Sequence, residues 1–285
     1  MSERAAALPA RGLRFTKMHG AGNDFVVIDR RHASDVLPAA LITQICDRQR
    51  GVGCDQLLTI EAARTPGAAL AYDIWNADGS GSGQCGNGAR CVAAWAKREG
   101  LIGVGDSLLD SPAGPVRATI DASESVTIEL PAPRFEPAAI PLLADQADLY
   151  AIDIDGTAIT FVALSMGNPH AVIEVADVDT VDAVRIGLAV QTDSRFPDRC
   201  NVGFAQLVDR ATIRLRVVER GVGETLACGS GACAAVAALQ RRGLLDQAVA
   251  VHLRGGTLEI SSPSAAAPMR MRGPTAFVFE GEWLA

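Results

Sequence analysis

One stretch of this chain is written twice, and that repetition limits its possible folds more than any other feature. Residues 76–96 read NADGSGSGQCGNGARCVAAWA, and residues 219–239 read ERGVGETLACGSGACAAVAAL. In each, a polar residue (Asn76; Glu219 followed by Arg220) opens a glycine-rich loop, and a cysteine follows nine positions later (Cys85; Cys228). A Cys-Gly-x-Gly-Ala run then enters an alanine-rich helix, expected over 86–99 in the first copy, with Gly100 as its stop.

The repetition extends beyond the loops. A shift of 145 positions lays Gly167-Asn168 on Gly22-Asn23, Val172-Ile173 on Val27-Ile28, Glu174 on Asp29 and Asn201 on Gln56, while the two cysteines lie 143 apart. Separated features sharing nearly one offset imply an internal duplication. The expected halves are 12–135 and 150–275, each of mixed α/β (α+β) character. Pro131, Pro133, Pro137 and Pro141 mark the interval as a crossover, with the linker at 136–149. A last strand over 276–285 is expected to return to the first half. Outside the loops, alternation predicts strands at 56–61, 69–75, 116–120, 126–130 and 160–164, and a helix over 38–49. His19 to Asp24 reads as a loop between two strands. An alanine-rich helix of this kind suits a position wrapped by strands on most sides.

With 285 residues and 48% hydrophobic content, two domains are expected. A formal charge of −7, a pI near 5.2 and no basic run argue against nucleic acid or an anionic membrane as partner. Residues 1–10 lack the apolar core of a signal peptide, and no segment approaches the roughly 18 apolar residues of a bilayer span, so a cytoplasmic location is expected. Seven cysteines without a Cys-x-x-Cys or a nearby histidine point to free thiols and to no metal site. Cys46, Cys54, Cys91, Cys200 and Cys233 read as small buried apolar residues.

A cysteine at a helix N-terminus lies near the positive end of the helix dipole and near unpaired N–H groups, which favours thiolate and attracts a carboxylate. Two such loops suit inversion of a carbon centre: one thiolate removes an α-proton while the opposite thiol donates one. Gly81-x-Gly83-x-x-Gly86 also satisfies a dinucleotide fingerprint, but that reading leaves Cys85, Asn87 and the second copy without a role. Lys17 and Lys97 are the only lysines, and neither follows a phosphate loop, so a pyridoxal phosphate enzyme is disfavoured and no cofactor is expected.

The chain resembles diaminopimelate epimerase nearly end to end: MHGAGNDFVVID at 18–29, DRQRGVGCDQLL at 47–58, NADGSGSGQCGNGARC at 76–91, GNPHAV at 167–172, CNVGFA at 200–205 and ERGVGETLACGSGACA at 219–234. The resemblance implies a duplicated α/β fold, each half a curved, mostly antiparallel sheet around a central helix. It also implies interconversion of LL- and meso-diaminopimelate without pyridoxal phosphate, and a homodimer. It makes Cys85 and Cys228 the catalytic pair, with Cys228 the acceptor and Cys85 the donor from LL to meso, and His170 and Glu219 as polar neighbours setting the thiols' protonation. By the same resemblance Gly86, Asn87, Gly229 and Ser230 hold the carboxylate at the reacting centre, and Asn23, Gln56, Asn76, Asn168, Asn201, Glu219 and Arg220 grip the ligand's polar ends. Gly81-Ser82-Gly83 departs from the bulkier or acidic wording commoner there. Two alternatives stay open: a proline or hydroxyproline racemase of the same fold, and a carboxylate-binding or redox-sensing protein using the same two thiols.

Overall fold

The computed structural model describes residues 12–264 and 267–284. The segment read against a signal peptide, 1–10, and the last residue of the strand expected over 276–285 lie outside them. The described residues form two compact units, one drawn from 12–20, 24–126 and 275–284 and the other from 21–23, 127–264 and 267–274.

The first unit runs β1 (Leu13–Gly20), β2 (Asn23–Asp29), α1 (Ala39–Cys46), β3 (Gln56–Glu61), β4 (Ala68–Asn76), β5 (Gly81–Ser82), α2 (Gly86–Arg98), β6 (Gly105–Ser111) and β7 (Gly114–Ile120). Strand β2 is parallel to β3, β3 antiparallel to β4, β4 parallel to β6, and β6 antiparallel to β7. Val26, Ile28 and Leu57 pack with Ile42 and Ile45 of α1. Helix α2 lies against β1, β3 and β7.

The chain then enters the second unit through β8 (Val126–Leu130), β9 (Tyr150–Ile154), β10 (Thr157–Ser165), β11 (Pro169–Glu174), α3 (Ala183–Gln191), β12 (Asn201–Asp209), β13 (Thr212–Glu219), β14 (Gly223–Thr225), α4 (Gly229–Arg241), β15 (Ala248–Leu253), β16 (Gly256–Ser261) and β17 (Met269–Gly273). Between β8 and β9 the proline-rich segment forms a 3-10 turn at Pro137–Ala139 and one bridge, Arg134 to Ser165. Finally β18 (Ala276–Trp283) pairs antiparallel with β1 in the first unit.

The pairing order repeats: β11 is parallel to β12, β12 antiparallel to β13, β13 parallel to β15, and β15 antiparallel to β16. Even the register repeats, since Phe25 faces Gln56 in one unit and His170 faces Asn201 in the other. Helices α2 and α4 each bury ten of thirteen residues, mostly small ones in α4, whereas α2 also buries Arg90 and Trp95. Antiparallel pairs outnumber parallel ones, so the expected fold class stands.

Local departures from the expected elements have physical causes. The turn read as His19 to Asp24 shrinks to Ala21 (φ 52°) and Gly22 (φ 85°), so His19 and Asp24 lie in paired strands. Helix α1 stops at Cys46 because Asp47 turns extended and its carboxylate accepts the N–H groups of Gln49 and Arg50. Helix α3, which the spacing does not predict, starts at the Asp182 cap, whose side chain accepts from Arg185 N.

Candidate active site

In the first unit, β4, the short β5 and α2 place Cys85 at the N-cap of α2, with extended backbone angles (φ −148°, ψ 106°). Its Sγ accepts the Gly88 N–H at 3.3 Å, the arrangement an N-cap oxygen usually provides. The thiol is half-buried. Gly86 and Asn87 are the first two helical residues, where N–H groups lack intrahelical acceptors. Gln56 opens β3 and Asn76 closes β4 directly opposite it; Gln56 Nε2 donates to Asn76 Oδ1 at 3.0 Å, and Asn76 Nδ2 donates to Ser80 Oγ at 3.1 Å.

The second unit builds the matching turn with different partners. Cys228 caps α4 in the same extended conformation (φ −118°, ψ 110°), but it is 5% exposed and its thiol donates to Glu219 Oε2 at 3.2 Å. Ser230 Oγ lies 3.6 Å from the sulfur. The other carboxylate oxygen of Glu219 accepts the Thr225 hydroxyl at 2.6 Å, which fixes the rotamer. Burial, then the Glu219 charge, push the Cys228 thiol well above its ordinary range. It is therefore protonated at neutral pH.

His170 is buried, and its Nε2 meets Asn168 Oδ1 at 2.9 Å. Burial, then the charge of Arg220, lower its pKa to about 3, so the imidazole is neutral and Nε2 carries the hydrogen given to the amide oxygen. Buried Asn201 accepts the Arg220 N–H with Oδ1 at 2.8 Å, and the exposed Arg220 side chain donates to the Asp198 carbonyl at 2.8 Å. Asn23, half-buried, groups with this unit.

Each unit thus brings its own share of the sequence-predicted residues to one strand–loop–helix turn: Gln56, Asn76, Cys85, Gly86 and Asn87 in the first, and Glu219, Arg220, Cys228, Gly229 and Ser230 in the second. Asn168, His170 and Asn201 lie on the neighbouring strands of the second unit. Two contributors escape a reading by motif. Thr225 orients Glu219, and Arg90, buried in α2, donates to Asn87. A hydroxyl two residues before the second loop's Ala-Cys, and a charge inside an alanine-rich helix, were the available signals.

The family model for diaminopimelate epimerase matches residues 15–135 and 162–278. A diaminopimelate epimerase of Xanthomonas axonopodis pv. citri is 53% identical over 273 residues, covering 95% of this chain and 96% of the relative. The chain belongs to the diaminopimelate epimerase family. Membership makes it an isomerase, an amino-acid epimerase of lysine biosynthesis that works without pyridoxal phosphate. An O-ureido-serine racemase of Streptomyces lavendulae is also 53% identical, over 275 residues, with 95% of this chain and 96% of the relative covered. Among solved structures, a hydroxyproline epimerase from Agrobacterium vitis shares the fold at a TM-score of 0.71 and 16% identity, covering 97% of this chain and 94% of that one. No helix among the described residues is long and apolar enough to cross a membrane.

Proposed function

We propose that this chain interconverts LL- and meso-2,6-diaminopimelate by moving protons between the substrate α-carbon and the thiols of Cys85 and Cys228. The observation that carries the reading is the unequal state of the two caps. The Cys85 sulfur accepts an N–H at a helix N-terminus, whereas the Cys228 thiol is protonated against Glu219. From meso to LL, the Cys85 thiolate takes the α-proton, the C–H bond breaks, and Cys228 returns a proton to the opposite face of the same carbon. From LL to meso the roles reverse, and Cys228 first yields its proton, for which the Glu219 carboxylate at 3.2 Å is the adjacent acceptor. Gly86, Asn87, Gly229 and Ser230 bind the reacting carboxylate at the two helix N-termini and stabilise charge spreading onto it. His170, neutral and fixed by Asn168, is a polar neighbour that helps set thiol protonation.

Asn23, Gln56, Asn76, Asn168, Asn201, Glu219 and Arg220 take the ligand's remaining amino-acid end. The O-ureido-serine relative supplies a second reading, in which the same reaction centre serves a substrate with an uncharged urea end. Arg220 favours diaminopimelate, because a distal carboxylate suits a guanidinium and a urea does not. Deuterium incorporation in D2O tests both: LL-diaminopimelate should gain deuterium in the inverted product, and Cys85→Ser and Cys228→Ser should each lose epimerisation. Exchange of O-ureido-serine with inert LL-diaminopimelate would keep the chemistry and replace the substrate.

We place the enzyme in the cytoplasm, with domains at 12–135 and 150–275 and a linker at 136–149. A homodimer is supported by β18, whose Phe277, Val278 and Phe279 are 41%, 54% and 48% exposed in one run, an apolar patch that a partner would cover. Light scattering on wild type and Phe279→Asp tests it; a wild-type monomer rejects the dimer.

A further inference from the structure

Helix α1 ends on one cysteine and β3 is entered from another, and neither has a part in the proposed reaction. Cys46 is the last residue of α1, Cys54 lies two positions before Gln56 opens β3, and they are 3% and 2% exposed. The Cys54 thiol donates to the Cys46 sulfur at 3.3 Å. Two thiols in contact differ chemically from two apolar residues, because together they can lose two electrons and join.

The chain between them holds that approach. After α1 it turns back on the helix end: the N–H groups of Val52 and Gly53 both donate to the Ile45 carbonyl, at 2.9 and 3.0 Å, and the Cys54 N–H donates to the Cys46 carbonyl at 3.3 Å. The main chains of the two cysteines therefore lie side by side, as a disulfide requires. Gly53 permits the turn with φ 76°, and a Cβ at Gly51 would stand 2.0 Å from the Gln44 carbonyl oxygen. Buried Lys17 donates to the Gly53 carbonyl and, at 2.5 Å, to Asp24, which also accepts from the exposed Arg48. The hydrogen bond from Cys54 lowers the pKa of the Cys46 thiol against the opposing effect of burial; Lys17 and Arg48 add to the lowering, and Asp24 opposes it. The same bond, with burial, pushes the Cys54 thiol up. Cys46 is thus the nucleophile of the pair.

The second unit shows that the fold has no need of a thiol at this helix end. The shift of 145 positions that relates the two copies carries Cys46 onto Gln191, the last residue of α3. There a buried amide Nε2 donates to the Val218 carbonyl at 3.0 Å.

We propose that Cys46 and Cys54 form a reversible disulfide when the protein meets hydrogen peroxide, stapling the end of α1 to the entry of β3. The Cys46 thiolate attacks one peroxide oxygen, the O–O bond breaks and hydroxide leaves, giving a sulfenic acid. The Cys54 sulfur then loses its proton, attacks the Cys46 sulfur and displaces its oxygen as water. Two thiols are oxidised and one peroxide is reduced, giving one disulfide and two waters. Residues 48–50, which follow the helix end, are exposed, and peroxide enters from that side. The closed ring spans residues 46–54 in a loop already ordered, so the link restricts the unfolded chain more than it changes the fold.

The test treats the full chain with hydrogen peroxide, blocks the remaining thiols with N-ethylmaleimide in urea and maps tryptic peptides by mass spectrometry. Trypsin cuts after Arg31, Arg48, Arg50 and Arg64, so residues 32–48 carry Cys46, residues 51–64 carry Cys54, and only a disulfide joins them. The joined peptides should appear in treated wild type and separate on dithiothreitol. Treated wild type should also melt about 5 °C above Cys54→Ser treated alike, and dithiothreitol should abolish that difference. Cys85→Ser should form the link to the same extent as wild type, because the active-site thiol takes no part. Wild type in which both thiols are found blocked by maleimide, or in which Cys46 proceeds to sulfinic acid unlinked, overturns the proposal. So does a link that forms only in protein unfolded before treatment, that needs Cys85, or that leaves the melting temperature unchanged or lower. Should Cys54→Ser not fold, treated wild type before and after dithiothreitol decides the melting comparison. Linkage and melting are read without substrate, so failure to epimerise LL-diaminopimelate would count against the proposed function and leave this pair untouched.

Discussion

The two cysteine turns have one backbone design and different hydrogen-bond partners at the sulfur. Each follows a β-hairpin, each caps a thirteen-residue helix with an extended cysteine, and each helix buries ten residues. Yet the position that opens the loop is Asn76 in one copy and Glu219 in the other, and the fifth residue after the cysteine is Arg90 in one and Cys233 in the other. The first copy carries a neutral amide at the loop opening and a buried arginine in its helix; the second carries a carboxylate that accepts a hydrogen bond from the Cys228 thiol, and a buried cysteine in its helix. Duplication supplies two equivalent thiols, but inversion of a carbon needs one acid and one base at a time. Under the proposed two-thiol mechanism, divergence around the cysteines, with Asn76 against Glu219, Asn87 against Ser230 and Arg90 against Cys233, would separate the roles without altering the turn.

Removing either sulfur should have the largest effect. Cys85→Ala and Cys228→Ala are each expected to lower kcat at least about a thousandfold, the upper range for loss of a general acid or base. A variant within tenfold of wild type would break the comparison at its root. Next comes Glu219→Gln. Loss of the carboxylate removes one cause of the raised Cys228 pKa and lowers it toward the ordinary thiol range, while burial, the larger cause, persists. Turnover is expected to fall about 10- to 100-fold. Iodoacetamide at neutral pH, followed by peptide mass spectrometry, should label wild-type Cys85 well before Cys228, and the interval should narrow in Glu219→Gln. Cys91 and Cys200, which burial pushes up to about 12, should stay unlabelled until the protein unfolds. Equal labelling of Cys85 and Cys228 in wild type would remove the asymmetry proposed for them.

Much of this was legible in the residues because duplication turns a weak local signal into a paired one. The helix after the first loop is placed within one residue, and strands β3 and β8 fall where alternation puts them. Helix α3 was not visible, because Gly187 sits in its middle at a cost of about 1 kcal/mol in helix propensity. Packing explains the glycine: a Cβ at 187 would lie 2.9 Å from Val218 Cβ, so close approach to β13 outweighs propensity. Arg90 was hidden for another reason. Arginine in a helix is ordinarily a solvated charge, and burial on all sides of α2 emerges only when the sheet has closed around it. Thr225 is likewise significant only through the rotamer of Glu219.

The smallest effect concerns the strand register shared by the two units, where His170 stands opposite Asn201 as Phe25 stands opposite Gln56. The folded pKa of His170 is about 3, below the unfolded value near 6.5, so the unfolded chain binds this proton first as pH falls. The contribution of neutral His170 to stability is complete above pH 6.5 and declines toward pH 3, by about 1.4 kcal/mol per pH unit. Between pH 7.5 and pH 5 that is about 2 kcal/mol, or on the order of 4–8 °C in melting temperature for a chain of this size. His170→Phe, which imports the first unit's residue, should lack this part of the acid-side decline, whatever its absolute stability. The quantity to compare is the drop in melting temperature from pH 7.5 to pH 5 in each protein, since the carboxylates elsewhere contribute equally to both. Equal drops would mean that His170 takes up its proton in the fold near its ordinary pKa, and the neutral imidazole assigned to the second unit would have to be withdrawn.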